Sequence, residues 1–273
     1  MPRFVFLDES HTDAKWHRIL SVGGVIVEAA SVAEVESAWR DAKRDAGLAE
    51  RDLKFSMTWP EGSGQRLRMI ETIPTLPLEH AVVALLEDFR PTRMKLFDKE
   101  KRGDLYVHRG CFEYVLQRLC APQYAPGPSG VHLVAFDNGD HFPKLDQQYR
   151  GVHGHRWPLP WGGHWPSLRE VGYAESLAST REGALNEIAD LVVGTVTRWA
   201  ACRCGIARGK QIPERAELDR ACRAVLHLFP HRHGTTPKQW TGWSFAVHTR
   251  ELTGKEQLKG GLDEWLRDIE LPF

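Results

Sequence analysis

A chain of 273 residues, 42% of them hydrophobic and 26% charged, is long enough to bury a substantial core. Thirty-six basic residues balance thirty-six acidic ones, so net charge names no nucleic-acid or membrane partner, and such a surface must come from local asymmetry. No apolar run is long enough to cross a bilayer, the acid at position 8 interrupts what a signal peptide needs, and five cysteines fit reduced thiols better than a disulfide framework; the expected setting is the cytoplasm, with oligomeric state open.

The chain begins with two apolar runs, residues 4–7 and 19–28, which predict an antiparallel pair of strands with a bulge at Gly23-Gly24. From Ser31, a serine cap, Glu34 three residues on, and Val32, Val35 and Trp39 at helical spacing predict a helix ending at Gly47. A short extended piece is expected at 52–59, a helix at 64–73 after the turn around Pro60, and a strand at 79–89. Residues 104–121 have the period of a long amphipathic helix, and 131–140 read as another strand leading into Asp137. Residues 141–169 lack periodicity and are too long for a plain connector. Helices are expected at 181–201, 214–229 and 255–268, with a strand at 243–250.

Acids recur where apolar strands stop. Asp8 follows "FVFL" and Asp137 follows "VHLVAF", while Asp190 sits inside the apolar helical run "IADLVVG". Taken singly, each aspartate could simply end a strand and begin a turn. On the late helix, Leu185, Ile188, Val192, Val196 and Trp199 share one face, and Asn186, Glu187, Asp190 and Gly194 another. Glu187 and Asp190 are then like-charged neighbours, a cost of a few tenths of a kcal/mol unless a cation sits beside them; the alternative is a solvated polar stripe. Gly194, one turn on, leaves room for another element to approach. Acids fixed at distant points of the chain and brought together are what two-cation phosphodiester hydrolysis needs, because Mg2+ and Mn2+ prefer oxygen ligands and can activate an attacking water.

Taken together, "FLDES", then "GGVIV", a mid-chain strand ending in aspartate, and "ESL" followed by a helix with "IADLVVG" resemble the bacterial and phage family catalogued as domain of unknown function 3800. The resemblance reaches from Phe4 to about Trp199. It implies an α/β, ribonuclease-H-like fold: a mixed sheet of about five strands flanked by helices, here over residues 1–204, with the His/Trp-rich stretch near 141–169 as an insertion. Residues 205–273 would be a C-terminal α/β extension packed on the same domain. The implied function is a metal-dependent nuclease with Asp8, Asp137 and Asp190 holding two Mg2+ or Mn2+ ions. Asp52 stands where the family has a further acid, with Lys54 close to the phosphate. Glu187 replaces the usual glutamine and is the other choice for a fourth ligand. This chain has His11-Thr12-Asp13 where the family follows "DES" with glycine and an acid.

A nucleic-acid partner is also suggested by local charge. Between Arg198 and Lys238 nine basic residues, among them Arg198, Arg203, Arg208 and Lys210, face three acids, which suits a phosphate backbone. The 141–169 stretch offers Arg150, Arg156 and Trp157, a mixture that stacks bases and grips single strands. Solvated helix faces and loop packing are the plainer explanations of both. Cys202, Cys204, Cys222, His231 and His233 lack structural-zinc spacing, and neither a G-x-S-x-G elbow nor a phosphate-binding P-loop is present. The rival to an enzyme is a non-catalytic nucleic-acid or protein-binding module on the same fold; the two part on whether the three aspartates converge.

Overall fold

The computed structural model describes residues 3–13, 17–89, 115, 132–136, 183–203, 215–229 and 245–249. It is a mixed α/β structure. Five strands, β1 (Arg3–Asp13), β2 (His17–Glu28), β3 (His80–Phe89), β4 (His132–Phe136) and β5 (Phe245–Thr249), form one sheet in the order β4-β1-β2-β3-β5. The first three pair antiparallel, whereas β4 joins β1 and β5 joins β3 in parallel. The described helices are α1 (Val32–Asp45), α2 (Ser63–Thr72), α3 (Ala184–Arg203) and α4 (Arg215–Leu226).

The first strand does not stop at its acids. Register runs without a break from Arg3 opposite Glu28 to Asp13 opposite Arg18, so Asp8 lies mid-strand. Position 8 is where the apolar run ends, but cross-strand bonding carries the strand further. The same unbroken register rules out the bulge expected at Gly23-Gly24. These glycines serve close approach instead: a Cβ on Gly23 would lie 2.4 Å from the Val82 carbonyl oxygen, and one on Gly24 would lie 1.8 Å from that of Phe6.

Strand alternation puts Phe6, Asp8, Ser21, Gly23 and Val25 on one face of the sheet. That face receives α3, which packs across β1 and β2. The helix carries Ile188, Val192, Val196 and Trp199 at the predicted spacing, all buried. Its other side is enclosed as well, with Asn186, Glu187, Val193, Thr195 and Thr197 buried, so α3 has no solvated stripe. Burial of each large apolar side chain contributes roughly 1.5–3 kcal/mol, which offsets the cost of taking polar groups in with them. Two of these are satisfied locally: Thr195 and Thr197 hydroxyls donate to the carbonyls of Leu191 and Val193, both at 2.6 Å. Thr197 also meets the Ser21 hydroxyl on β2, fixing the helix to the sheet with a polar bond.

The first helix begins and ends where its sequence predicts, with one difference in chemistry. Ser31 occupies the N-cap position but makes no side-chain cap bond, because it belongs to a 3-10 turn at Ala29–Ser31. At the other end Gly47, at φ 69°, closes a Schellman motif: its N–H reaches the Arg44 carbonyl at 3.0 Å and the Leu48 N–H reaches that of Lys43 at 2.7 Å. Leu48 is then buried. The expected extended piece at 52–59 is irregular, with turns rather than strand pairing. Helix α2 follows from Ser63 to Thr72, and α4 packs against α2 and α3. Val115 is helical and buried, while the rest of the helix expected at 104–121, the 141–169 stretch and the helix expected at 255–268 lie outside the described residues. Among the described residues no helix is long and apolar enough to cross a membrane.

Candidate functional site

Asp8 and Asp190 meet. Asp8 is 6% exposed, in the middle of β1, on the face that α3 covers. Burial pushes its carboxyl well above the usual carboxylate range, and the charge of Asp190 and a side-chain hydrogen bond with it raise it further; the Glu9 N–H and the charge of Lys54 act the other way. The Glu9 N–H donates to Asp8 Oδ1 at 2.7 Å, fixing the rotamer. Glu9 itself lies on the opposite side of the pleat. Directly across the ladder from Asp8 is Gly23, so no side chain stands beside the carboxylate on that strand.

Asp190 is half-buried on α3 and accepts a hydrogen bond from the backbone N–H of Phe55 at 2.5 Å. That donor arrives because Gly194 is bare: a Cβ there would lie 2.5 Å from Phe55 Cγ and 2.6 Å from its Cβ. The room expected beside Gly194 is thus filled by the Phe55 ring. The segment at 53–55 supplies the site with three groups in sequence, since Leu53 is buried, the charge of Lys54 acts on Asp8 and the Phe55 amide holds Asp190.

Glu187 belongs to a different assembly from Asp190, although the two are one turn apart. It is 8% exposed, and both of its oxygens are engaged: Oε2 accepts from Trp39 Nε1 at 2.6 Å, and Oε1 from Lys43 Nζ at 2.8 Å and the Leu53 N–H at 3.1 Å. Lys43 is 9% exposed, so this is a buried ion pair with a full complement of donors on the acid. Removing one partner from such a pair costs about 3–5 kcal/mol, because the other charge is left uncompensated. The carboxylate therefore ties α1 and the 53–55 segment to α3, and it is not gathered with Asp8 and Asp190 as a ligand. Trp39 and Lys43 were not expected at the site. A lysine at the apolar register position four residues after a buried tryptophan was the available signal, since such a position demands a partner acid.

Basic groups lie on the same side. Arg66, on α2, places its guanidinium 4.7 Å from the centroid of the Phe55 ring and donates to the Phe55 carbonyl at 3.3 Å. Burial holds this guanidinium below its usual range; Glu217 opposes that effect, and Arg198 on α3 adds to it. Arg66, Phe55 and Glu217 line one cleft with Ser63 and Leu67. Nothing in the spacing of "GQRLRMIETI" distinguishes Arg66 from Arg68, which instead pairs in the open with Glu61. Arg198 is half-buried on α3, and its charge acts on Arg66.

Asp52 is exposed and directly precedes the buried Leu53. Asp137 follows the last residue of β4, Phe136, which pairs with Leu7, the residue before Asp8; Asp137 itself lies outside the described residues. So do Arg150, Arg156, Trp157, Arg208 and Lys210, together with the side chain of Arg203 at the end of α3. Among the described residues, no group of three or more histidines, cysteines, aspartates and glutamates is gathered for a metal; Asp8 and Asp190 form a pair. The class defined by fold and site is a mixed α/β protein in which a buried aspartate on the first strand meets a half-buried one on a late helix. No protein-family model and no curated protein matches the chain.

Proposed function

We propose that the chain is a divalent-cation-dependent nuclease built on a ribonuclease-H-like sheet. The observation that carries this reading is the contact between Asp8 and Asp190, one from the first strand and one from a late helix. Two carboxylates this close repel when both are ionised, and a shared proton or a bound cation relieves that repulsion. The donor set fits Mg2+ or Mn2+, which take oxygen ligands and keep part of their water. Asp8 and Asp190 would hold the ion, and Asp137 joins them in the proposal because it follows the strand that pairs with the residues before Asp8. When bound, such ions activate water and stabilise the leaving oxygen of a phosphodiester.

The chain's own residues supply the remaining functions. The Phe55 N–H orients Asp190, and the Glu9 N–H orients Asp8. Lys54 supplies a positive charge toward the acids, and Arg66 and Arg198 extend it. A phosphate backbone is the polymer that this combination suits, because the acids alone would repel it. Asp52 is exposed on the same segment as Lys54 and remains the proposed further acid.

Two measurements test this. Wild-type protein with Mn2+ or Mg2+ should cleave single- or double-stranded DNA or RNA, and Asp190→Asn should lose at least about 100-fold in rate, more than the 10–100-fold typical of outer-shell partners alone. Salt-dependent binding without cleavage on any of the four polymers would instead indicate a binding module. Arg66→Ala should raise KM several-fold and lower the salt slope of binding by about 1, the signature of one lost phosphate contact. An unchanged salt slope would take Arg66 out of the substrate surface.

A further inference from the structure

We infer that Glu187 is a positioning residue that clamps the 53–55 segment onto α3 and thereby sets Lys54 and the Phe55 N–H against the carboxylate pair. This rests on the nuclease reading for its consequence in catalysis, but the clamp itself is a statement about the fold. The geometry runs in one direction. Lys43 and Trp39, from α1, and the Leu53 N–H converge on one buried carboxylate at 2.6–3.1 Å. Two residues later the same backbone gives its N–H to Asp190. Between them in sequence is Lys54, close enough for its charge to act on Asp8.

Segment 51–54 has no regular secondary structure to hold it, so its path is set by what its backbone bonds to. One bond goes to Glu187 and the next to Asp190, three residues apart on the same helix. A glutamate is required at 187 because three donors converge there, one of them a buried ammonium. Glutamine would offer one acceptor oxygen and would turn an N–H2 toward either the indole N–H or the ammonium. Helix α1 thus reaches the site through Glu187, by way of Trp39 and Lys43.

Glu187→Gln and Lys43→Met on the full chain test the clamp by two readouts. Amide hydrogen exchange should quicken about 10-fold at residues 53–55 in both variants while β1 and β2 keep their protection, because only the clamp is released. The Mn2+ concentration giving half the maximal thermal shift should rise about 10-fold in both, as for the loss of an outer-shell partner. The two substitutions separate clamp from ligand by sign: if Glu187 bound the ion, Lys43→Met would free it and tighten Mn2+ binding. That result, unchanged exchange at 53–55, or a uniform rise across the sheet would each overturn the inference. If wild type neither cleaves nor responds to Mn2+, the nuclease reading fails, and exchange at 53–55 still decides the clamp.

Discussion

Replacing Asp8 with asparagine is expected to make the metal-free protein more stable at neutral pH while removing its Mn2+-dependent cleavage. The two effects have one cause. Asp8 is buried and hydrogen-bonded to a second acid, so its proton is held more tightly in the folded chain than in the unfolded one. For a carboxyl raised in this way, the stability it contributes is present below the unfolded value, near 3.9, and is lost as pH rises from there through the folded value. Above that window an ionised Asp8 is a net cost, which the neutral amide removes. Asparagine keeps an oxygen to accept the Glu9 N–H and gains an N–H2 to donate to Asp190. Each kcal/mol recovered raises the melting temperature of a chain this size by about 2–4 °C. Thermal melts across pH should therefore show the advantage of Asp8→Asn at neutral pH shrinking as pH falls, and the thermal shift given to wild type by Mn2+ should vanish in the variant. A variant less stable than wild type at every pH would mean that the carboxylate is satisfied as it stands, without a cation.

The parts of this fold and site that were legible in the sequence are those set by local spacing. Gly47 ends α1 because a left-handed residue is needed after Ala46, and the apolar stripe of α3 is visible from Leu185 to Trp199. Asp8 stood out because an apolar run stops at it, and Asp190 because it interrupts one. What spacing does not carry is the surroundings of a face. Asn186, Glu187 and Asp190 share a stripe whether it meets water or other elements, and the enclosure of α3 converts Glu187 from an expected neighbour of a cation into the partner of Lys43 and Trp39. Glycine pairs in strands are ambiguous in the same way: a bulge and a close approach both select Gly23-Gly24, and only the register of β1 on β2 decides. The strand likewise continues past Leu7 through "DESHTD" because β2 supplies bonds, which no alternation in that polar stretch announces. Arg66 is the extreme case, since its role follows entirely from where Phe55 lands.

Among the described glycines, Gly24→Ala should add the most damaging methyl group. Its Cβ would lie 1.8 Å from the Phe6 carbonyl oxygen, 2.8 Å from the Phe6 carbonyl carbon and 3.0 Å from Leu7 Cα. Every one of these is backbone, so no rotamer change relieves the contact and β1 must move away from β2. Against this, alanine gains about 0.4–1 kcal/mol by restricting the unfolded chain, whereas overpacking costs about 1–3 kcal/mol even where side chains can give way. With total stability on the order of 5–15 kcal/mol, a loss above about 3 kcal/mol leaves a marginal fold. Gly64→Ala in α2 supplies the contrast, because a Cβ there meets nothing within 4 Å and the helix gains up to about 1 kcal/mol. Denaturant unfolding should rank Gly64→Ala at or above wild type and Gly24→Ala far below both. Equal midpoints for Gly24→Ala and wild type would contradict the strand spacing, and with it the placement of Asp8, which lies one residue beyond the Leu7 and Gly24 pair on the same ladder. If the fold survives at reduced stability, the carboxylate pair should report the shift of β1 first. Its contact depends on where β1 lies under α3, so the Mn2+ response should weaken before the secondary structure is lost.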